Sequence, residues 1–128
     1  MPQPPSNYDI YGSATQNTET PREREAKALI KAANSMQGIV AEWESASEDD
    51  VKTVLEYNST LWAMFYNQAE EGSITNPALK KNIISLGDFV FRRSAQIRNV
   101  SDRGQQKTMF DILININRQI AGGLFSAK

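Results

Sequence analysis

Apolar residues recur at intervals of three and four positions along most of the chain, and this spacing predicts α-helices. The first such segment begins at Thr20-Pro21, where threonine can cap the helix, proline fits its first turn, and Glu23 can complete a capping box. We predict that this helix extends to about Ala46. Its apolar stripe consists of Ala26, Leu29, Ala33, Met36, Val40 and Trp43.

A second helix is predicted to begin after Ser47, because a serine cap is followed by three acidic residues that interact favourably with the positive end of a helix dipole. Asn58 lies in the middle of its apolar face. We favour a buried amide that hydrogen-bonds to a neighbouring helix and fixes the register; the alternative is contact with a partner. The apolar residues of this face are Val51, Val54, Leu55, Leu61, Trp62, Phe65 and Ala69.

A third helix is predicted to begin at Asn76-Pro77, again through a cap followed by proline. Gly87 lies beside its main stripe, where the missing side chain would let another helix approach closely. A glycine inside a helix otherwise costs about 1 kcal/mol relative to alanine. The main stripe consists of Leu79, Ile83, Leu86, Val90 and Ile97.

The third helix also carries a second apolar strip, which lies about 120–160° from Leu79 at 100° per residue. It consists of Ile84, Phe91 and Ala95. Either this helix is central and covered on two sides, which is the simpler interpretation, or the strip binds another protein. If it binds a partner, the neighbouring Arg92 and Arg98 are expected to take part.

A fourth helix is predicted after Ser101-Asp102-Arg103-Gly104. Within it, Asp111 to Asn117 alternates in a way that could indicate a strand, but the longer period and the lack of a partner strand favour a helix. The sequence therefore predicts an all-α fold, a compact bundle of about four helices in a single domain over residues 20–128. The stripe of the fourth helix consists of Met109, Leu113, Ile116, Ile120 and Leu124.

Residues 1–19 are rich in Pro, Ser, Asn, Thr and Gln and show no helical period, so we expect a flexible N-terminal arm. Tyr8, Ile10 and Tyr11 are its apolar exceptions. They could bind to the chain's own domain or to a partner, and we favour the domain.

The 128 residues include no cysteine and no histidine, which removes the usual zinc ligands, the commonest general base and the thiol nucleophile. No glycine pattern typical of phosphate binding is present. We therefore expect no enzymatic activity, cofactor or metal. The acidic groups are interpreted as solvated helix ends rather than as metal ligands or acid–base pairs; they are Glu42/Glu44, Glu48/Asp49/Asp50 and Glu70/Glu71.

No apolar run approaches the ~20 residues that a membrane span needs, and residues 1–6 lack the apolar region of a secretory signal. A cytoplasmic protein is expected.

Charge is unevenly distributed along the chain. Residues 1–71 hold twelve acids and five bases, whereas residues 72–128 hold three acids and nine bases. The basic half carries the positive charge that RNA binding requires as a minimum, but it contains no RNA-recognition motif. We favour mutual attraction of the two halves in the fold over direct RNA binding.

Four groups of residues along the chain form a specific combination. They are Tyr11 with Thr20-Pro21-Arg22-Glu23-x-Glu25-Ala26; Asn58-x-x-Leu61-Trp62-x-x-Phe65; Asn82-Ile83-x-x-Leu86-Gly87-x-Phe89-Val90; and Leu113-Ile114-Asn115-Ile116-Asn117-Arg118-x-Ile120-Ala121-x-Gly123-Leu124. In this order they resemble the FlaF family, which assists flagellin production in alphaproteobacteria. The resemblance covers about Tyr11 to Leu124. It departs from the family in the loop Ser73-Ile74-Thr75-Asn76-Pro77 and at Gly122.

The resemblance implies a small cytoplasmic, non-catalytic factor that favours flagellin synthesis or secretion and acts with FlbT, which restrains flagellin translation. The expected partners are flagellin, an FlbT-type protein, or both, with the protein acting like an export chaperone. The alternative function is an RNA-associated regulator of flagellin translation that uses the basic half. The family-motif residues are expected to be mainly structural.

Overall fold

The computed structural model of the protein describes residues 19–126, and it describes side chains as far as Leu124. These residues form four α-helices: α1 (Pro21–Ala41), α2 (Glu48–Glu70), α3 (Pro77–Asn99) and α4 (Arg103–Ser126). The all-α prediction is confirmed, including the helical interpretation of residues 111–117. The predicted arm lies, except for Glu19, outside the described residues.

The predicted helix starts are confirmed by their caps. The Thr20 hydroxyl accepts a hydrogen bond from the Glu23 amide at 3.1 Å, and the Glu23 carboxylate accepts one from the Thr20 amide at 2.9 Å. Ser47 and Asp50 form the same reciprocal pair at the start of α2. At α3, Asn76 Oδ1 accepts from the Leu79 amide at 3.0 Å. Each cap satisfies donors that a helix start leaves unpaired.

The prediction that the first helix reaches about Ala46 is wrong, because α1 ends at Ala41 and a short 3₁₀ turn spans Trp43–Ser45. Trp43 still points into the core, with 5% of its surface exposed. The carbonyl oxygens of Trp43 and Ala46 accept hydrogen bonds from Arg103, both at 2.9 Å. The tighter turn is therefore held by a residue of α4, which the local apolar period does not reveal.

The helices pack in a ring, with α1 against α4 and α2, and α3 against α2 and α4. The connections are short, so neighbouring helices run antiparallel. Trp62 is fully buried. Both tryptophans therefore belong to the core, as their positions on the apolar stripes predict. The other large core side chains include Leu29, Met36, Leu55, Phe65, Ile83, Val90, Ile97, Phe110, Leu113 and Leu124.

Candidate partner-binding surface

The outer side of the α2–α3 pair carries a groove, which contains a surface cavity of about 220 Å³. Leu55 of α2 and Ser94 of α3 are buried at its base, and Phe91 is half-buried beside them. The Ser94 hydroxyl donates to the Val90 carbonyl of its own helix at 2.7 Å, so this buried polar group is already satisfied. An apolar side chain packed against Ser94 would therefore leave its hydroxyl paired.

The rim of this groove carries opposite charges on its two sides. Glu56 is exposed on α2, while Arg98 is exposed on α3. Ala95 lies between them on the α3 side and is also exposed. A bound segment would meet an acidic edge and a basic edge flanking an apolar base.

A second cavity, of about 340 Å³, lies at the start of α3. Ile84 is half-buried there, and the remaining lining residues are Pro77, Lys80, Lys81 and Ser85. The two cavities have no lining residue in common. We call the first the Phe91 groove and the second the Ile84 cavity.

Tyr66 of α2 reaches α3 between Ile84 and Phe91. A Cβ atom added to Gly87 would lie 2.7 Å from Tyr66 Cδ2, and the Tyr66 and Phe91 ring centroids are 5.9 Å apart. The close approach predicted at Gly87 is confirmed, and the neighbouring group is an aromatic side chain. Desolvation, together with the carboxylates of Asp88 and Glu70, raises the pKa of the Tyr66 hydroxyl above its usual value.

The predicted partner strip is thus divided in the structure. Ile84 lines one cavity, whereas Phe91, Ala95 and Arg98 line the other. Arg92 is exposed and lines neither. α3 packs against both α2 and α4, as the central-helix interpretation requires, but Ile84 and Phe91 remain only half-buried. A role for these residues in partner binding stays a prediction.

Sequence reasoning missed two exposed apolar side chains on the other flank of α2. Tyr57 is 41% exposed and Met64 is 55% exposed, one heptad apart. Their spacing could have indicated a shared face, but they fall outside the main apolar stripe of the helix. Ile112 of α4, 39% exposed, was missed for the same reason.

The described residues contain no group of three His, Cys, Asp or Glu side chains that could hold a metal ion. Among the helices of residues 19–126, none is long and apolar enough to cross a membrane.

The ion pairs among the described residues stay within the acidic half of the chain. Arg22 pairs with Glu25 and Lys27 pairs with Glu19, and all four residues lie in the first half. Polar contacts between the halves include the Arg103 hydrogen bonds and a bond of 3.4 Å from Arg118 to Asn34 Oδ1. General attraction between the halves stays a prediction.

A comparison with protein-family models gives a match to "Flagellar protein FlaF" over residues 8–124, which includes all of α1 to α3 and nearly all of α4. The chain belongs to the FlaF family. No curated protein and no solved structure matches it significantly. Membership of the FlaF family makes this a flagellar-related protein.

Three of the FlaF family-motif residues meet in the core. Asn117 Oδ1 accepts a hydrogen bond from Trp62 Nε1 at 2.9 Å, and Asn117 Nδ2 donates to Asn58 Oδ1 at 2.7 Å. The expectation that Asn58 is a buried amide bonded to a neighbouring helix is confirmed. Of the remaining motif residues, Asn82 and Asn115 are exposed, Leu61 is half-buried, and Gly87 is buried against Tyr66.

Proposed function

We propose that this FlaF-family protein acts in the cytoplasm, without catalysis, to promote flagellin synthesis or secretion. It binds an amphipathic helix of flagellin in the Phe91 groove and acts together with an FlbT-type protein. The single observation that supports this most directly is the apolar base of the groove, with Phe91 partly exposed on the surface of a flagellar-related protein.

The shape and chemistry of the groove support a helix as the ligand. Proteins that bind amphipathic helices accept a few apolar side chains, spaced by three or four residues, in a groove between their own helices. A cavity of about 220 Å³ accepts an anchoring side chain rather than the whole face of a helix. Flagellin's end segments are amphipathic helices that aggregate or polymerise when uncovered, so a protein of this kind would hold them apart.

The charged rim sets the expected orientation of the ligand. Glu56 would face a basic residue of the bound helix, and Arg98 would face an acidic one. Rim charges mainly affect specificity and the association rate, while the apolar anchor carries most of the affinity. A helix with the reverse distribution of charge should bind more weakly.

The alternative, direct RNA binding, is less well supported because the three aromatic rings of the basic half that the structure describes already have intramolecular contacts. Phe89 lies under the Arg93 guanidinium at 5.2 Å, Phe91 contacts Tyr66, and Phe110 is buried. Single-stranded nucleic acid is usually held by exposed aromatic rings next to basic residues. The exposed bases of this half include Arg92, Arg98 and Lys107.

The test is a calorimetric titration of the full-length protein with peptides from the two ends of flagellin. Ala95→Arg places a long charged side chain at the rim of the groove, and Gln96→Arg adds the same charge next to it, outside the groove lining. We expect Ala95→Arg to weaken peptide binding at least about tenfold, a loss of ~1.4 kcal/mol. Gln96→Arg should bind like the unaltered protein.

Three further variants separate the competing explanations. Truncating Phe91 should weaken binding, whereas truncating Ile84 should not, since it lies in the other cavity. Reversing the charge at Arg92, Arg98 and Lys107 together should reduce binding most if RNA is the ligand, and the affinity of that complex should fall steeply as the salt concentration rises.

Normal peptide binding by Ala95→Arg, or a salt-sensitive RNA complex lost only on charge reversal, would overturn the proposal. The same titrations with an FlbT-type protein test that partner.

A further inference from the structure

We propose that the segment Tyr8-Asp9-Ile10-Tyr11 binds to the Ile84 cavity of its own chain. The Ile84 cavity is a different surface from the Phe91 groove, and binding of the segment there does not depend on flagellin being the partner. It assigns an occupant to a cavity that the proposed function leaves unused, and it gives the part of the chain before α1 a defined binding site.

The chemistry of the cavity suits a short apolar segment with a negative charge. Ile84 and the Pro77 ring provide apolar surface, and the aliphatic stems of Lys80 and Lys81 extend it while their charged ends stay in solvent. Neither lysine takes part in the ion pairs of the described residues, Arg22–Glu25 and Lys27–Glu19. The cavity is therefore apolar inside and positively charged at its edge.

The segment has the complementary composition. Tyr8, Ile10 and Tyr11 are, apart from Met1, the large apolar residues among residues 1–18, and Asp9 is the acidic residue of that stretch. The matched family region begins at residue 8, so this segment belongs to the region shared with the FlaF family although it precedes the first helix. Two tyrosines and an isoleucine around one carboxylate fit an apolar cavity bordered by two lysines.

The fold places the start of α1 close enough for the segment to reach the cavity. Arg22 donates to the Ser73 carbonyl at 3.3 Å, so α1 begins beside the connection that leads into α3 at Pro77. Ile84 lies seven residues into α3, about 10 Å along the helix axis. The nine residues 12–20, which connect Tyr11 to the start of α1, can span up to about 30 Å when extended.

This short tether favours binding within the chain over binding to another molecule. A connection of about nine residues gives an effective concentration in the millimolar range. A partner protein, or a second copy of the chain, would need to reach a comparable concentration to compete. An apolar contact of only a few side chains is therefore sufficient for the segment to occupy the cavity.

The absence of cysteine from the sequence allows a clean cross-linking test on the full-length protein. Gly12→Cys places a thiol next to the segment, and Ser85→Cys places the second thiol at the cavity. The matched control pairs Gly12→Cys with Asn82→Cys; Asn82 is also exposed on α3, three residues nearer its start, but does not line the cavity. Disulfide formation is followed at low protein concentration, with no partner present.

We expect the Ser85 pair to cross-link within one chain at least about tenfold faster than the Asn82 pair, because a bound segment raises the local thiol concentration. Adding Ile10→Ser to the Ser85 pair should reduce the rate to that of the control. Ile10 lies before the described helical bundle and supplies none of its described core, so this variant should fold normally.

Equal rates for the two pairs, or a rate unaffected by Ile10→Ser, would overturn the proposal. Disulfide-linked dimers forming in preference to the internal disulfide would also overturn it, and would make a second copy the occupant. Because no flagellin is present, cross-linking can succeed while flagellin binding fails, and the reverse outcome is equally distinguishable.

Discussion

The Nδ2 atom of Asn117 lies 2.7 Å from the Oδ1 atom of Asn58, which joins the middle of α4 to the middle of α2 inside the core. The same nitrogen donates to the Leu29 carbonyl of α1 at 3.2 Å, and the Asn117 oxygen accepts from Trp62. One fully buried amide therefore connects three of the four helices. Such a network fixes their relative positions, because a shift of any helix along its axis would leave buried polar groups unpaired.

Replacing Asn117 with alanine should destabilise the protein strongly. The change leaves Trp62 Nε1 without its hydrogen-bond acceptor and Asn58 Oδ1 without its donor, in a region with no exposure to water, and it removes the second hydrogen bond to the Leu29 carbonyl. Each buried polar group left unpaired costs about 1–3 kcal/mol, so we expect a total loss of about 3 kcal/mol or more. Urea unfolding followed by circular dichroism measures this value.

Asn115→Ala is the matched control for that variant. Asn115 lies in the same helix and in the same family motif, but it is exposed. Its replacement should change the free energy of unfolding by less than about 0.5 kcal/mol. If the two asparagine variants were equally stable, the network would have little energetic importance.

Gly87→Ala should destabilise the protein even though alanine is the better helix former. The new methyl group would meet the Tyr66 ring at 2.7 Å, so the ring must move away from α3. Gly38→Ala is the control, since a Cβ atom there meets nothing within 4 Å and the change should stabilise by up to about 1 kcal/mol.

A double variant identifies the cause of the Gly87 effect. If the clash with Tyr66 is responsible, Gly87→Ala should be much less harmful in a Tyr66→Ala background, and the two changes should be non-additive in a double-mutant cycle. Simple additivity would instead indicate that the glycine is needed for another reason.

The contribution of Tyr66 to stability should decline at high pH. Its pKa is raised in the native state, so the native protein holds this proton more tightly than the unfolded chain, in which tyrosine titrates near ~10. The contribution is present below that value and is lost as the pH rises through the native pKa.

Urea unfolding of the unaltered protein and of Tyr66→Phe, repeated from about pH 8 to pH 11, tests this expectation. The stability difference between the two proteins should shift in favour of the phenylalanine variant as the pH rises. Tyr57→Phe serves as the control on the exposed flank of α2. A pH-independent difference at Tyr66 would contradict the prediction.

Arg103→Ala should loosen the connection between α1 and α2. The guanidinium lies 4.3 Å from the centroid of the Trp43 ring and donates to two backbone carbonyls of that connection. Loss of these contacts should cost about 1–2 kcal/mol in the free energy of unfolding. Lys107→Ala, one turn further along α4, should have almost no effect; an equal effect would point to net charge as the cause.

The helices themselves were predictable from sequence because caps and apolar periodicity are local signals. Thr20, Ser47 and Asn76 begin helices where the sequence indicated, and Asn58 is buried as its position within an apolar face suggested. The end of α1 was not predictable. Trp43 continues the apolar stripe of that helix, and the contact that holds the 3₁₀ turn comes from Arg103, sixty residues away.

The candidate surface was only partly predictable for a similar reason. Helical spacing correctly placed Ile84, Phe91 and Ala95 on one side of α3. It could not show that Ile84 lines one cavity while Phe91 and Ala95 line another, or that Tyr66 of α2 contacts α3 at Gly87. Whether apolar residues on one helix form a continuous surface depends on the side chains of its neighbour.

The pairing of α1 with α4 has a consequence for how the protein is made. Leu29 and Asn117 are 88 positions apart and are in direct contact, so α1, which is synthesised before the other described helices, packs along α4, which is synthesised after them. On the ribosome, α2 and α3 can form their hairpin early, since they are adjacent in sequence. The apolar stripe of α1 remains without its main neighbour until α4 has emerged, and contacts between distant residues of this kind slow folding. Translation that stalls within α4 would therefore leave a nascent chain prone to aggregation.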